Sequence, residues 1–261
     1  MFHMDFETLL VCVKGSVHVV QIHRPTVGNK LSIPCMEELV QAFQCATEDP
    51  ACHAILLAGE SDLFCSGGEL GDFRKKSILD IKAFGAAFIA LHLAMVNCPK
   101  PIIAAVEGDA LGGGFSLVEA CDLAVGSESA RFAIPEILDG LAPAMGLSGI
   151  FANLPKKQVM ALGLLGQKLT AKEALSMGML NAVVPKEDVL QHALDMASGF
   201  EALRPTAVRF YKELCADMGM RDYENRLKMG QAMMISLFKS TDGMEVLTSK
   251  EENRPPVWCG Q

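Results

Sequence analysis

Pro99-Lys100-Pro101-Ile102-Ile103-Ala104-Ala105-Val106-Glu107-Gly108-Asp109-Ala110-Leu111-Gly112-Gly113-Gly114-Phe115 is the stretch that sets the fold class. Ile102 to Val106 is a short apolar run between a proline pair and a turn, which reads as a strand buried on both faces. A glycine loop follows, then a helix through about Ala120, and Leu123-Ala124-Val125 returns as strand. The alternation continues outward. Val17 to Ile22 is β-branched and ends at Arg24-Pro25. Ser32 and Pro34 open a helix carrying Met36, Leu39, Val40, Phe43 and Ala46 at helical spacing, and Asp49-Pro50 stops it. Ala54 to Ala58 is a second buried run, leading into a loop from Gly59 to Gly68. Ile81, Phe84, Phe88, Leu91 and Met95 predict another helix, closed by Pro99 and Pro101. Strand, helix, strand, glycine loop, helix is the order of an α/β protein. From about Thr170 the pattern is helical, with segments over Ala171 to Gly178, Lys186 to Phe200 and Pro205 to Lys239. The expected division is an α/β core over residues 1–200 and a helical region over residues 201–261.

Composition narrows the partners. The 261 residues carry a formal net charge of -8, with one Trp and two Tyr. An acidic chain with few aromatics lacks both the basic face and the stacking platform that nucleic acid requires. Nine cysteines are scattered without C-x-x-C pairs, and the six histidines do not cluster with them, so no metal site is expected and the thiols read as reduced. No apolar run approaches the roughly 20 residues that span a bilayer, and Met1 to Thr8 shows no apolar signal core. A cytoplasmic location and no membrane partner are the expectations.

Two glycine loops carry the chemistry. Phe64-Cys65-Ser66-Gly67-Gly68-Glu69-Leu70 follows one buried run, and Leu111-Gly112-Gly113-Gly114-Phe115 follows another. Glycine brings backbone close to a ligand, and an N–H at a helix start has no internal partner and sits at the positive end of the dipole. Two such N–H groups aimed at one point make an oxyanion hole. For either loop alone, a plain strand-to-helix turn is the commoner use. Neither loop has the spacing of a P-loop or of a dinucleotide-binding fingerprint.

Together and in this order, the loops resemble those of the crotonase (enoyl-CoA hydratase/isomerase) superfamily. The likeness extends to Arg24-Pro25 with Asn29-Lys30-Leu31, to Cys121-Asp122-Leu123-Ala124, to Phe132-Ala133-Ile134-Pro135-Glu136 and to Gly140-Leu141-Ala142-Pro143. Leu169 to Ala174 and Gly178 to Pro185 continue it, so it covers nearly the whole chain. The resemblance implies a spiral of ββα turns with C-terminal helices that assemble as trimers or dimers of trimers. It implies an acyl-CoA thioester whose carbonyl lies between the Gly68 and Gly113 amides, with adenine near Ser66 and Gly67. No cofactor beyond the coenzyme A of the substrate is implied. Lys30, Gly112, Phe115 and Ser116 are further candidates for contact with the substrate.

The family's hydratases use two glutamates, at positions matching Ser116 and Glu136. Only the second is a carboxylate here. A serine hydroxyl without a histidine beside it in the motif is a weak general base, and Glu119 lies about 4.5 Å further along the helix. Glu136 alone suffices to move a proton from C2 to C4 of a 3-enoyl-CoA, so the pattern points to a Δ3,Δ2-enoyl-CoA isomerase. The alternatives are water addition to a 2-enoyl-CoA, and a non-catalytic acyl-CoA-binding module. The dienoyl-CoA isomerase type has an Asp where Ala144 stands.

Other features have plainer readings. Arg74-Lys75-Lys76 reads as a solvated helix start rather than a CoA phosphate contact. Met218, Met220, Met229, Met233 and Met234 read as packing. Cys65 has no base paired with it in sequence and reads as a small buried filler. The acyl tail is expected against residues 73–88 and Phe115.

Overall fold

In the computed structural model, described for residues 6–60, 62–69, 77–139, 143, 154–217 and 241–259, the chain after its first hairpin contributes strands alternately to a large sheet and a small sheet. The large sheet has six strands. Leu9–Lys14 (β1) and Val17–Ile22 (β2) form an antiparallel hairpin across Gly15 and Ser16, with Lys14 opposite Val17. Ala54–Gly59 (β3), Ile102–Val106 (β5), Leu123–Ser127 (β7) and Ala182–Val184 (β10) then add in parallel, in the order β1-β2-β3-β5-β7-β10.

Alternate residues of these strands point to opposite faces, and both faces are apolar. Val20, Ile22, Ile55, Leu57, Ile102, Ala104 and Val106 join the main core. Ile33–Glu48 (α1) and Ile78–Asn97 (α2) cover that side with Met36, Leu39, Phe43, Phe88, Leu91 and Met95. Val19, Leu56, Ala58, Ile103, Ala105 and Val125 face the other way, under Val189, Ala193, Leu194 and Ala197 of Val189–Ser198 (α6). The start of α1 is built as the sequence predicts, and that of α2 is capped as well. Ser32 accepts from the Cys35 N–H at 3.2 Å with a proline in the first turn, and Ser77 and Asp80 cap α2 reciprocally.

The small sheet consists of Leu63–Cys65 (β4), Asp109–Leu111 (β6), Arg131–Ala133 (β8) and Leu169–Thr170 (β9) in that order. β4, β6 and β8 are parallel and β9 runs against β8. The succession β3-β4-α2, then β5-β6 and Gly113–Ala120 (α3), is the expected spiral of ββα turns. Strands β4, β6 and β8 are three residues each; β4 and β6 fall within stretches predicted as loop, and β8 within a stretch given no element. β1 was also unanticipated, because five of its six residues are exposed on a sheet edge and carry no alternation of burial.

Lys156–Leu165 (α4) and Ala171–Ser176 (α5) precede β10, and the predicted segment over Lys186 to Phe200 is α6 with short 3-10 turns at each end. In the C-terminal part, Pro205–Asp217 (α7) is pinned to the core: Lys212 Nζ donates to Asp122 Oδ2 at 2.6 Å and to the Lys100 carbonyl at 3.1 Å. Thr241–Glu251 (α8) follows. Leu70, Phe73, the Arg74 to Lys76 run, residues 140–142, Ala144 and the methionines from Met218 to Met234 lie outside the described residues. Among the described residues no helix is long and apolar enough to cross a membrane, and no group of His, Cys, Asp and Glu is placed to hold a metal ion.

Candidate active site

The parallel small sheet brings the site together by register. Cys65 stands beside Ala110 and Leu111 beside Ala133. Residues just past these strand ends are therefore neighbours: Ser66 to Gly68 after β4, Gly112 and Gly113 after β6, and Glu136 after β8. Ligands in open parallel sheets bind at such carboxyl ends.

The first loop is clamped from the N-terminal segment. The Leu31 N–H donates to the Gly67 carbonyl at 2.9 Å, and the Glu69 N–H donates to the Leu31 carbonyl at 2.8 Å. Asn29 is fully buried and donates from Nδ2 to the Glu60 and Leu63 carbonyls, both at 2.7 Å. Arg24 pairs with Glu69 at 2.7 Å and also donates to the Lys30 carbonyl. The segment from Arg24 to Leu31 is thus the floor of the loop, a role that its composition did not disclose. The Ser66 hydroxyl donates to the Gly28 carbonyl at 2.7 Å, which commits that side chain to the loop.

The second loop requires glycine at Gly112, where φ is 52° and ψ is -116°. The Gly112 N–H donates to the Ala133 carbonyl at 2.8 Å, and the first helical bond of α3 runs from the Ser116 N–H to the Gly112 carbonyl at 3.1 Å. The Gly113 N–H, at the helix start, makes no hydrogen bond among the described residues, and neither does the Gly68 N–H. The two are close: a Cβ placed on Gly113 would lie 3.4 Å from Gly68 N. Gly68 is exposed and Gly113 half-buried, so both amides are reachable. Two unused backbone donors thus lie side by side at the ends of the two loops.

Glu136 enters from the 3-10 turn Pro135–Asp139. A Cβ on Gly112 would lie only 2.8 Å from Glu136 Oε1, so the carboxyl is packed against the residue that precedes the second amide. Its Oε2 is shielded from solvent.

Ser116 is buried one turn into α3, and Glu119 is half-buried one turn further. Phe115 is fully buried in the main core beneath them. Lys30 is exposed next to Leu31. Cys65 is an inert filler, as expected: burial pushes its thiol up to about 12. Of two further side chains near the loops, Phe84 is anticipated only as a helical-period residue within the 73–88 segment, and His92 not at all. Phe84 lies over Gly68, where a Cβ would meet its Cζ at 2.8 Å, and His92 reaches the Ser116 backbone. Both are on α2, and only the helical period, which places Phe84, Phe88 and His92 on one face, signals them. A cavity of about 460 Å³ lined by His53, Lys100, Arg209 and Trp258 lies elsewhere, by the residues that lead into β3 and β5.

A fold of ββα turns with two glycine amides and one carboxylate at the ends of its inner strands defines a crotonase-type protein. The comparisons agree. Residues 13–261 match the model of the enoyl-CoA hydratase/isomerase family. A probable enoyl-CoA hydratase of Rhizobium meliloti is 32% identical over 253 residues, covering 95% of this chain and 98% of its own. The crystal structure of an enoyl-CoA hydratase from Mycobacterium smegmatis superposes with a TM-score of 0.89 at 28% identity, covering 96% of this chain and 98% of its own. One from Bacillus anthracis gives 0.90 at 25% identity, covering 98% of this chain and all of its own. The chain belongs to the enoyl-CoA hydratase/isomerase family.

Proposed function

We propose that this enzyme is a Δ3,Δ2-enoyl-CoA isomerase that works with two backbone amides and one carboxylate. The observation that carries the reading is the pairing of Glu136 with Gly112 beside the two amides, while a serine stands at the other position from which the family's hydratases act.

The thioester oxygen of a 3-enoyl-CoA accepts from the Gly68 and Gly113 N–H groups. Charge that develops on that oxygen is met by donors already in place. The C2 hydrogen is acidified, and Glu136 takes it as a proton. The electron pair of the broken C–H bond spreads through C1–O and C3=C4 as a dienolate. Glu136 then returns the proton to C4, the C2=C3 bond forms, and the carboxylate is regenerated. Nothing is oxidised, reduced or hydrolysed, so the proton shift calls for no metal or redox group. In this reading the backbone at Ser66 and Gly67 lies beside the CoA adenine, Lys30 approaches its phosphates, and the chain assembles as a trimer or a dimer of trimers.

Hydration of a 2-enoyl-CoA is the second reading, favoured by the hydratase names of the relatives. It asks one group to activate water and another to protonate C2, and Ser116 supplies no carboxylate. A paired assay of 3-hexenoyl-CoA and 2-hexenoyl-CoA, run with Glu136→Gln alongside, separates the two.

A further inference from the structure

Phe84, Phe88 and His92 recur every four residues and line up along one face of α2. One end of the row sits on the first amide, through Phe84 against Gly68. Phe88 is buried in the main core. His92 stacks on Phe88 with ring centroids 4.1 Å apart, and its Nδ1 lies 2.9 Å from the Phe88 carbonyl oxygen. The same ring reaches the backbone of Ser116, one turn into the helix that begins with Gly113. One helix face therefore touches both halves of the paired-amide site.

A carbonyl only accepts, so Nδ1 carries the proton, and in the neutral ring Nε2 is an acceptor. Nε2 is buried and makes no hydrogen bond among the described residues. Burial outweighs the backbone groups of Phe88 and Ser116 and holds the imidazole below its ordinary pKa, so the ring is neutral at neutral pH. No charged side chain contributes to its environment among the described residues. A buried acceptor without a donor weakens a fold, and an apolar side chain would pack here without that penalty. Local rules broken in this way mark positions kept for function.

We propose that His92 is a positioning residue: as a flat plate fixed to Phe88, it holds the first turn of α3, and with it the Gly113 amide, against the face of α2 whose Phe84 holds Gly68. This rests on reading the paired amides as an enolate site. His92→Leu removes the plate and the unpartnered nitrogen together, so it is expected to gain or keep stability while it loses function. His92→Gln keeps a donor for the Phe88 carbonyl and is expected to regain part of the loss.

The test is a titration with acetoacetyl-CoA, whose enolate has its own near-ultraviolet absorbance, together with kcat, KM and Tm. For His92→Leu the expected result is a Tm at or above wild type, a KM within about twofold, and an enolate band and kcat each reduced about tenfold or more. An unchanged band and kcat overturns the proposal, and so does a loss that simply follows a fall in Tm. A wild type that shows the band but isomerises neither hexenoyl-CoA removes the isomerase reading and leaves His92 to be judged on the band. A wild type with no band overturns both.

Discussion

Gly112 and Glu136 are in contact through a space that only glycine leaves open: a Cβ on residue 112 would sit 2.8 Å from Glu136 Oε1. The relation follows from β6 and β8 pairing in register, Leu111 opposite Ala133, which sets the loop after one strand beside the turn after the other. Gly112→Ala is therefore expected to fail twice. The φ of 52° strains an L-residue by about 1–3 kcal/mol. The new methyl also pushes the carboxylate away, and kcat should fall by about 10²-fold, a size that displacements near 1 Å produce. Urea unfolding and steady-state kinetics measure the two effects separately.

Gly113→Ala should behave in the opposite way. Alanine suits the first turn of a helix better than glycine, so stability should hold or rise slightly. Its Cβ, however, would lie 3.3 Å from Leu31 Cδ1 and 3.4 Å from Gly68 N, in the space between the amides. The expected loss is about 10²-fold in kcat, the scale of one oxyanion donor, with the melting temperature unchanged. A variant that melts normally and turns over normally would remove Gly113 from the site.

Thiol reactivity should follow exposure rather than motif. Cys12, Cys215 and Cys259 are exposed, whereas Cys65 is buried and its thiol is pushed up to about 12. Alkylation of the native protein near pH 8, followed by peptide mapping, is expected to label the exposed three and to spare Cys65 until the chain is unfolded. Rapid labelling of Cys65 with loss of activity would reopen it as a nucleophile.

The C-terminal tail is held by two carboxylates of α8: Asp242 accepts from the Cys259 N–H at 2.8 Å, and Glu245 holds the stretch before it. Glu245 accepts from Arg254 Nη1 at 2.5 Å and from the Val257 N–H at 2.7 Å, and these bonds hold its pKa down to about 2 from an ordinary 4.5. A pKa depressed on folding means stabilisation that is present above about 4.5 and lost as pH falls from there toward about 2. Protection of residues 252–259 against hydrogen exchange, taken relative to the intrinsic rate at each pH, should therefore fall across that window, and Glu245→Gln should lower it at neutral pH. Exchange that ignores both changes would show that the tail is held by something else.

How far the sequence discloses this molecule depends on scale. Runs of five or six residues with a period, such as Val17 to Ile22 and Ile102 to Val106, are legible because burial on one or both faces dictates every residue. Three-residue strands such as Leu63–Cys65 and Asp109–Leu111 are shorter than any period, yet they set the register that assembles the site. The two glycine loops were read as local motifs, and Glu136 came from the family resemblance. Asn29 and Leu31 were seen only as part of a motif, because their task is to brace a loop more than thirty residues away. His92 was missed altogether, since its link to Ser116 exists only once α2 packs on α3.

The most direct test of the central claim is the paired assay of purified protein with 3-hexenoyl-CoA and 2-hexenoyl-CoA, repeated with Glu136→Gln. The account predicts that the first is converted to its 2-isomer, that the second takes up no water, and that Glu136→Gln loses about 10³-fold or more in kcat while melting like wild type. Efficient hydration of 2-hexenoyl-CoA, or a Glu136→Gln enzyme that still isomerises at the wild-type rate, would contradict it.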